Sequence, residues 1–360
     1  MSRVDEVMRR ALDERVFPGA VLLAARYERI MIHKAYGTLE PGNSRQVTPG
    51  TIYDLASLTK PLATAASLMH LKDAGIISTE DRLGVIIPEF AGSDKAEIRL
   101  YQLLCHNAGL PEYRPYYKAL TEFSPETRKQ ELRRMLVKEP LLHEPGTVTL
   151  YSDPGFMILE WVVEYVSGKA LDSYVKEHIY RPLGIRDLFF IAGKMPPEHE
   201  GRIFASTEKL PEGGLIRGRV HDENADAVGG VCGHAGLFGT ARAVFDIAAD
   251  MLLAAAGRSE SPVFSRQVLK RFLKVPEGAE RALGFDVPSC RDSSSGRYFN
   301  PNRSFGHLGF TGVSFWMDLD SGITVVLLTN RVCPGRDNQK IRLFRPVIHD
   351  AAVECIQDGK

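Results

Sequence analysis

Apolar and polar positions alternate in three different ways along this chain. Residues 3–16 carry apolar side chains at helical spacing between charged ones, which predicts a first helix. GAVLLAA (19–25) and IMIHKAYG (30–37) are dense in β-formers, and Arg26 to Arg29 turn them into a hairpin. SLTKPLATAASLMHLKDAG (57–75) reads as a helix meant for burial, with Gly75 as its stop. From 80 to 280 the pattern is mostly helical, broken by proline and glycine loops, as in LYQLLCHNAG, PETRKQELRRMLVKE, GFMILEWVVEYVSG and TARAVFDIAADMLLAAAG. After about 300 it returns to strands. FGHLGFTGVSFWMD (305–318) and GITVVLLTN (322–330) read as two neighbours joined by a short turn, before a last helix from about 340 to 356.

Strands at both ends with helices between predict an α+β fold. An antiparallel sheet is drawn from both chain ends and flanked by the terminal helices, with an inserted mostly helical region. The expected division is 1–79 plus 281–360 as the sheet subdomain and 80–280 as the helical one, with one site between them. SSSGRYFNPN, around 293–302, reads as a polar loop.

Composition narrows the function classes. Across 360 residues, 45 basic side chains balance 45 acidic ones without a basic block, so neither a nucleic-acid partner nor a membrane surface is expected. The richest apolar run beyond the N-terminus, ITVVLLT (323–329), is of strand length and far too short to span a bilayer. The N-terminus is amphipathic rather than signal-like. Five scattered cysteines form no metal-type pair and suit a reducing, cytoplasmic compartment.

Candidate chemistry begins at Ser57. Residues at i and i+3 share a helix face, so Ser57 and Lys60 can meet. Burial and the positive end of the helix dipole both disfavour an ammonium, which predicts an uncharged Lys60 acting as a base beside a nucleophilic hydroxyl. Pro61 costs little in an opening turn. A capping serine with a snorkelling lysine is the competing account. Ser173/Lys176 and Ser206/Lys209 share the spacing but read as solvated surface.

LYSDPGF places Tyr151 and Asp153 ahead of an apolar helix, and FGHLGFTG places His307 and Gly309 on a late strand. Ser-x-x-Lys, then Tyr-x-(Asn), then His-x-Gly, in that order, resembles the penicillin-recognising serine hydrolases. The resemblance is to their class C β-lactamase-like branch, with its DD-peptidases and family VIII carboxylesterases. FPGAVLLAA, YDLASLTKPLAT, IRLYQLLCHNAGLP, EPGTVTLYSDPGF, VSGKALDSYVKEHIYRPLGI and HLGFTG fall in family order, and GGVCGHAGLFGTA (229–241) looks like a sub-branch signature.

The resemblance implies Ser57 as the acylated nucleophile, Lys60 as its base and Tyr151 as the proton partner that activates water. It implies an oxyanion hole from the N–H groups of Ser57 and Phe310, and Asp153, His307 and Gly309 as substrate contacts. No cofactor or metal is implied. His234, in a second His-x-Gly, is either a pocket residue or a bonded loop histidine. Tyr298-Phe299-Asn300 is a rival Tyr-x-Asn. His106 reads as structural, and a metal set of His106, His221 and His234 lacks ligand spacing.

Two departures from the family bear on the substrate. His307 stands where β-lactamases present lysine, and Asp153 replaces an amide donor and would repel an anion. The expectation is therefore an esterase acting on small carboxylic esters. The alternatives are a β-lactamase or D-amino-acid peptidase or amidase, and a non-catalytic binding or sensor protein that keeps the pocket. A small ester, amide or lactam is the expected partner.

Overall fold

The computed structural model describes residues 2–42, 44–210 and 213–358. Its centre is a five-stranded antiparallel sheet in the spatial order Arg29–Gly37, Gly19–Arg26, Ile323–Thr329, Ser314–Asp318, Ser304–Leu308. The two middle strands come from opposite ends of the chain, in a register that sets Leu22 against Leu327. Both are buried on both faces, which explains their continuous apolar runs.

Period-two alternation sorts these side chains into two layers. Ala20, Leu22, Ala24, Trp316, Val325 and Leu327 face the terminal helices, Arg3–Asp13 and Ile341–Asp358. Val21, Leu23, Phe315, Met317, Val326 and Leu328 face the main core, shared with the Ser57 helix and the helix Ala241–Ala256. The N-terminal helix opens on a capping box made by Ser2 and Asp5.

The expected strands and terminal helices are present, with one correction. The stretch 305–318 is not a single strand but a hairpin, Ser304–Leu308 and Ser314–Asp318, folded at Gly309–Val313. Gly309 N–H donates to Val313 O at 2.8 Å and Gly312 sits at φ +99°, a conformation L side chains rarely adopt. Two smaller sheets lie in the rest of the chain. Tyr53–Asp54, Leu237–Gly239 and Leu188–Phe190 form one, and Glu208–Lys209 with Leu215–Ile216 the other.

Candidate active site

Tyr53–Asp54 leads directly into the Ser57 turn. The buried Asp54 carboxylate accepts from Ala56 N–H and His221 N–H, both at 2.8 Å. Those bonds hold Ala56 at φ +47°, in the left-handed region. A non-glycine residue there is strained by about 1 kcal/mol or more. The chain then winds as a 3-10 turn (Ala56–Leu58), a π turn (Lys60–Ala65) and an α-helix (Ala66–Asp73). The single helix expected over 57–75 is thus compound. Pro61 has no N–H for an α-helical bond, and the opening turns adopt other spacings around it.

Ser57 and Lys60 meet as their spacing requires. Lys60 Nζ donates to Ser57 Oγ at 3.0 Å, to His234 O at 3.0 Å and to Asp153 Oδ1 at 2.8 Å. Its side chain is fully buried. The surroundings of Lys60 do not favour the expected uncharged amine. Burial alone lowers the Lys60 pKa, but the Asp153 carboxylate, then Tyr151, outweighs it and keeps the ammonium above its ordinary range. This also revises the reading of Asp153, one of whose oxygens is spent on Lys60 rather than facing an incoming anion.

Asp153 and Tyr151 are delivered by the start of the helix Asp153–Ser167. Ser152 caps that helix by accepting from Gly155 N–H at 3.2 Å, and its hydroxyl donates to Pro111 O at 2.7 Å. His106 holds the same loop from below. Its Nδ1 accepts from Ser152 N–H at 2.9 Å, its carbonyl accepts from Leu150 N–H at 2.8 Å, and its ring lies 4.5 Å from the Tyr151 ring. The Tyr151 phenol interacts with both Lys60 and Ser57. Burial pushes its pKa up, Lys60 pulls it down and Asp153 pushes it up again, for a net rise. The resting site therefore holds a neutral phenol beside an ammonium.

His307, from the strand Ser304–Leu308, places its ring 6.0 Å from that of Tyr151. Its Nδ1–H donates to Leu308 O at 2.7 Å. Burial, followed by the Lys60 charge, depresses its pKa well below the usual histidine range, so it is neutral at pH 7. Gly309 packs the end of this strand against the Ser57 turn, where an added Cβ would lie 2.9 Å from Leu55 O and also strike Val313. Phe310 follows, half exposed over the cavity. His234 is buried and binds Asp222 through Nε2 at 2.9 Å, while its carbonyl receives Lys60.

The rival motifs lie elsewhere or are otherwise engaged. Tyr298 is exposed and donates to Glu354. Ser206 is not the solvated residue expected of it: it is fully buried and donates to Glu40 at 2.8 Å, whereas Lys209 is exposed. His106 and His221 are engaged separately, His221 with Glu208 at 2.8 Å.

Ser57, Tyr151, Asp153, His234, His307, Gly309 and Phe310 all line one cavity of about 810 Å³. So do arginines the motif reading missed, Arg281, Arg331, Arg336, Arg342 and Arg345, together with the carboxylates Asp54, Asp222, Glu223, Asp286 and Asp292. Arg331 donates to Phe310 O at 2.8 Å, and Arg345 donates to Gly309 O and Val313 O, both at 2.9 Å. Among the described residues the exposed Arg342 guanidinium makes no ion pair or hydrogen bond. The i, i+3 spacing of Arg342 and Arg345 on the last helix was a legible signal.

The Beta-lactamase family model matches residues 4–346. A putative D-alanyl-D-alanine carboxypeptidase of Escherichia coli (strain K12) is 33% identical over 355 residues, spanning 90% of this chain and 81% of that one. Solved structures that share the fold include the following two. EstCE1, described as a hydrolase with promiscuous acyltransferase activity, superposes with TM-score 0.74 at 24% identity, over 96% of this chain and 97% of its own. The class C beta lactamase from Rhodobacter sphaeroides gives 0.73 at 17%, over 98% and 99%.

Proposed function

As a member of the beta-lactamase family, this chain is a serine hydrolase, and we propose that Ser57 is its acylated nucleophile and that its substrate is a peptide-like amide carrying a carboxylate. The convergence of Ser57 Oγ, Lys60 Nζ and Tyr151 in a cavity whose wall includes the unpaired Arg342 carries this reading.

In the proposed cycle Ser57 Oγ attacks the substrate carbonyl and gives its proton to the Lys60–Tyr151 pair. The pair must first lose a proton, because it rests as ammonium and phenol. The oxyanion forms between the N–H groups of Ser57 and Phe310. The C–N bond breaks as Tyr151 returns a proton to the leaving amine. Water, activated by the same pair, then releases the acid. His307 packs beside Tyr151 as a neutral ring.

The unpartnered Arg342 favours a carboxylate-bearing leaving group, because a guanidinium binds carboxylate with paired N–H donors. The carboxylates Asp153, Asp222, Glu223 and Asp286 at the same cavity are each engaged, with Lys60, His234, Arg336 and Arg281 respectively, whereas Arg342 has no counter-charge among the described residues. The name carried by the 33% identical relative points the same way. A second reading, the esterase expected from sequence, is favoured by the exposed aromatics Tyr113 and Phe310 at the same cavity, which suit an uncharged acyl or alkoxy group.

One experiment separates the two. A D-alanyl-D-alanine peptide and a short-chain p-nitrophenyl ester are assayed on wild type, Ser57→Ala and Arg342→Ala. Ser57→Ala is expected to abolish both activities. Arg342→Ala is expected to raise KM for the peptide about tenfold, the loss of roughly 1.4 kcal/mol of binding, with a smaller effect on the ester. Equal effects of Arg342→Ala on both substrates would reject the carboxylate anchor and favour the esterase. Full turnover in Ser57→Ala would reject the nucleophile.

A further inference from the structure

Tyr151 is flanked by two cations and two imidazoles. Lys60 Nζ lies 4.8 Å from its ring centroid and the Arg281 guanidinium carbon 5.2 Å. Arg281 is ion-paired with Asp286, which pairs through its backbone with Gly306 and lies 3.9 Å from His307 Nε2. Arg281 thus joins the loop before the hairpin to the Tyr151 loop. The imidazoles of His106 and His307 supply no charge, because burial above all, then the Lys60 and Arg281 charges, keeps both neutral.

We propose that Arg281, anchored by Asp286, is a positioning residue that fixes the Tyr151 ring and supplies the positive field at the phenol that His307 does not. The charged and titratable groups facing Tyr151 are Lys60, Asp153, His106, His307 and Arg281, and the Ser57 hydroxyl is hydrogen-bonded to the phenol. Both cations are ion-paired, Lys60 with Asp153 and Arg281 with Asp286, so neither acts on the phenol with an unmatched charge. Arg281 comes from a separate chain segment and, like Lys60, lies over the ring. A guanidinium over an aromatic face is attracted to it, and more strongly when the ring carries a phenolate. Arg281 therefore favours the deprotonated form that takes up the Ser57 proton. No bond is made or broken at Arg281.

This inference rests on the reading of Ser57 and Tyr151 given above. The test measures the second-order rate of Ser57 acylation by a fluorophosphonate between pH 5 and 10. Arg281→Met is expected to move the ascending limb up by about one unit and to slow acylation roughly tenfold at pH 7, one pKa unit being a factor of ten. Arg281→Lys restores most of the rate. Asp286→Asn leaves Arg281 without its counter-charge and moves the limb down, the opposite sign, which a merely structural role does not produce. In Tyr151→Phe, adding Arg281→Met causes no further shift. An unmoved limb in Arg281→Met, or equal losses in Arg281→Met and Arg281→Lys, overturns the proposal while labelling that depends on Ser57 keeps the parent reading intact. Labelling of Ser57→Ala at the wild-type rate overturns both. If Arg281→Met does not fold, Arg281→Lys and Asp286→Asn decide: limbs that do not move in the directions given overturn the assignment.

Discussion

At the scale of single residues the site is a balance of charges about Lys60. A fully buried ammonium is costly unless paired, and Asp153 at 2.8 Å supplies the pair. The same bond holds the proton on Lys60 and makes the site a poor base at low pH. Asp153→Asn removes the negative charge and keeps an acceptor, so burial then dominates and the Lys60 pKa falls. We expect the ascending limb of the acylation rate to move to lower pH, with a faster rate near neutrality; this follows from stopped-flow labelling across pH. The limb belongs to the coupled Lys60–Tyr151 pair rather than to either group. A limb that stays in place would mean that Asp153 does not govern the pair. Much of this residue scale was legible beforehand, because i, i+3 spacing needs only a helix to bring Ser57 to Lys60. The charge state was not, because it depends on Asp153, which lies 93 residues away.

At the scale of elements, the site is made where a strand end meets a strained turn. Ala56 is held left-handed by Asp54, and Gly309 lets the strand Ser304–Leu308 close on that turn. Gly309→Ala places a methyl group against Val313 and Leu55 O. Overpacking of this kind costs about 1–3 kcal/mol. Because the strain falls between the nucleophile and Phe310, we expect acylation to slow at least a hundredfold, beyond what the lost stability accounts for, with denaturant unfolding and labelling measured side by side. Equal, small losses in both would place Gly309 outside the site. The hairpin fold at Gly309–Val313 was hidden in the sequence because the apolar run continues through it; only the glycines at 309 and 312 marked the turn.

At the scale of the whole molecule, both chain ends build one sheet, and the C-terminal helix ties that sheet to the cavity. His349, on that helix, is fully buried between Ser294 O at 2.9 Å and Ser314 Oγ at 3.3 Å. Burial pushes its pKa down to about 3. The unfolded chain binds that proton near pH 6.5 and the folded chain does not, so stability falls as pH drops below 6.5. This single group accounts for a loss of about 1–2 kcal/mol between pH 6.5 and 5. His106 and His307 act in the same direction. We expect His349→Gln to flatten that slope in denaturant titrations run at both pH values; an unchanged slope would remove His349 from the account. No helix among the described residues is long and apolar enough to cross a membrane.

The sequence alone determined the class of most elements and the order of the chemistry, though not the compound turn at Ser57 or the hairpin fold at Gly309–Val313. Helix and strand periods are local, so the paired chain ends, the buried helix behind Ser57 and the placing of Tyr151 and His307 on loop and strand could be read without coordinates. The tertiary structure decided the electrostatics and the substrate wall. Whether Lys60 is charged, whether Asp153 faces substrate or lysine, and which arginines share the cavity depend on distances between segments tens to hundreds of residues apart. Charge interactions act through space, and the spacing of residues along a chain does not encode them.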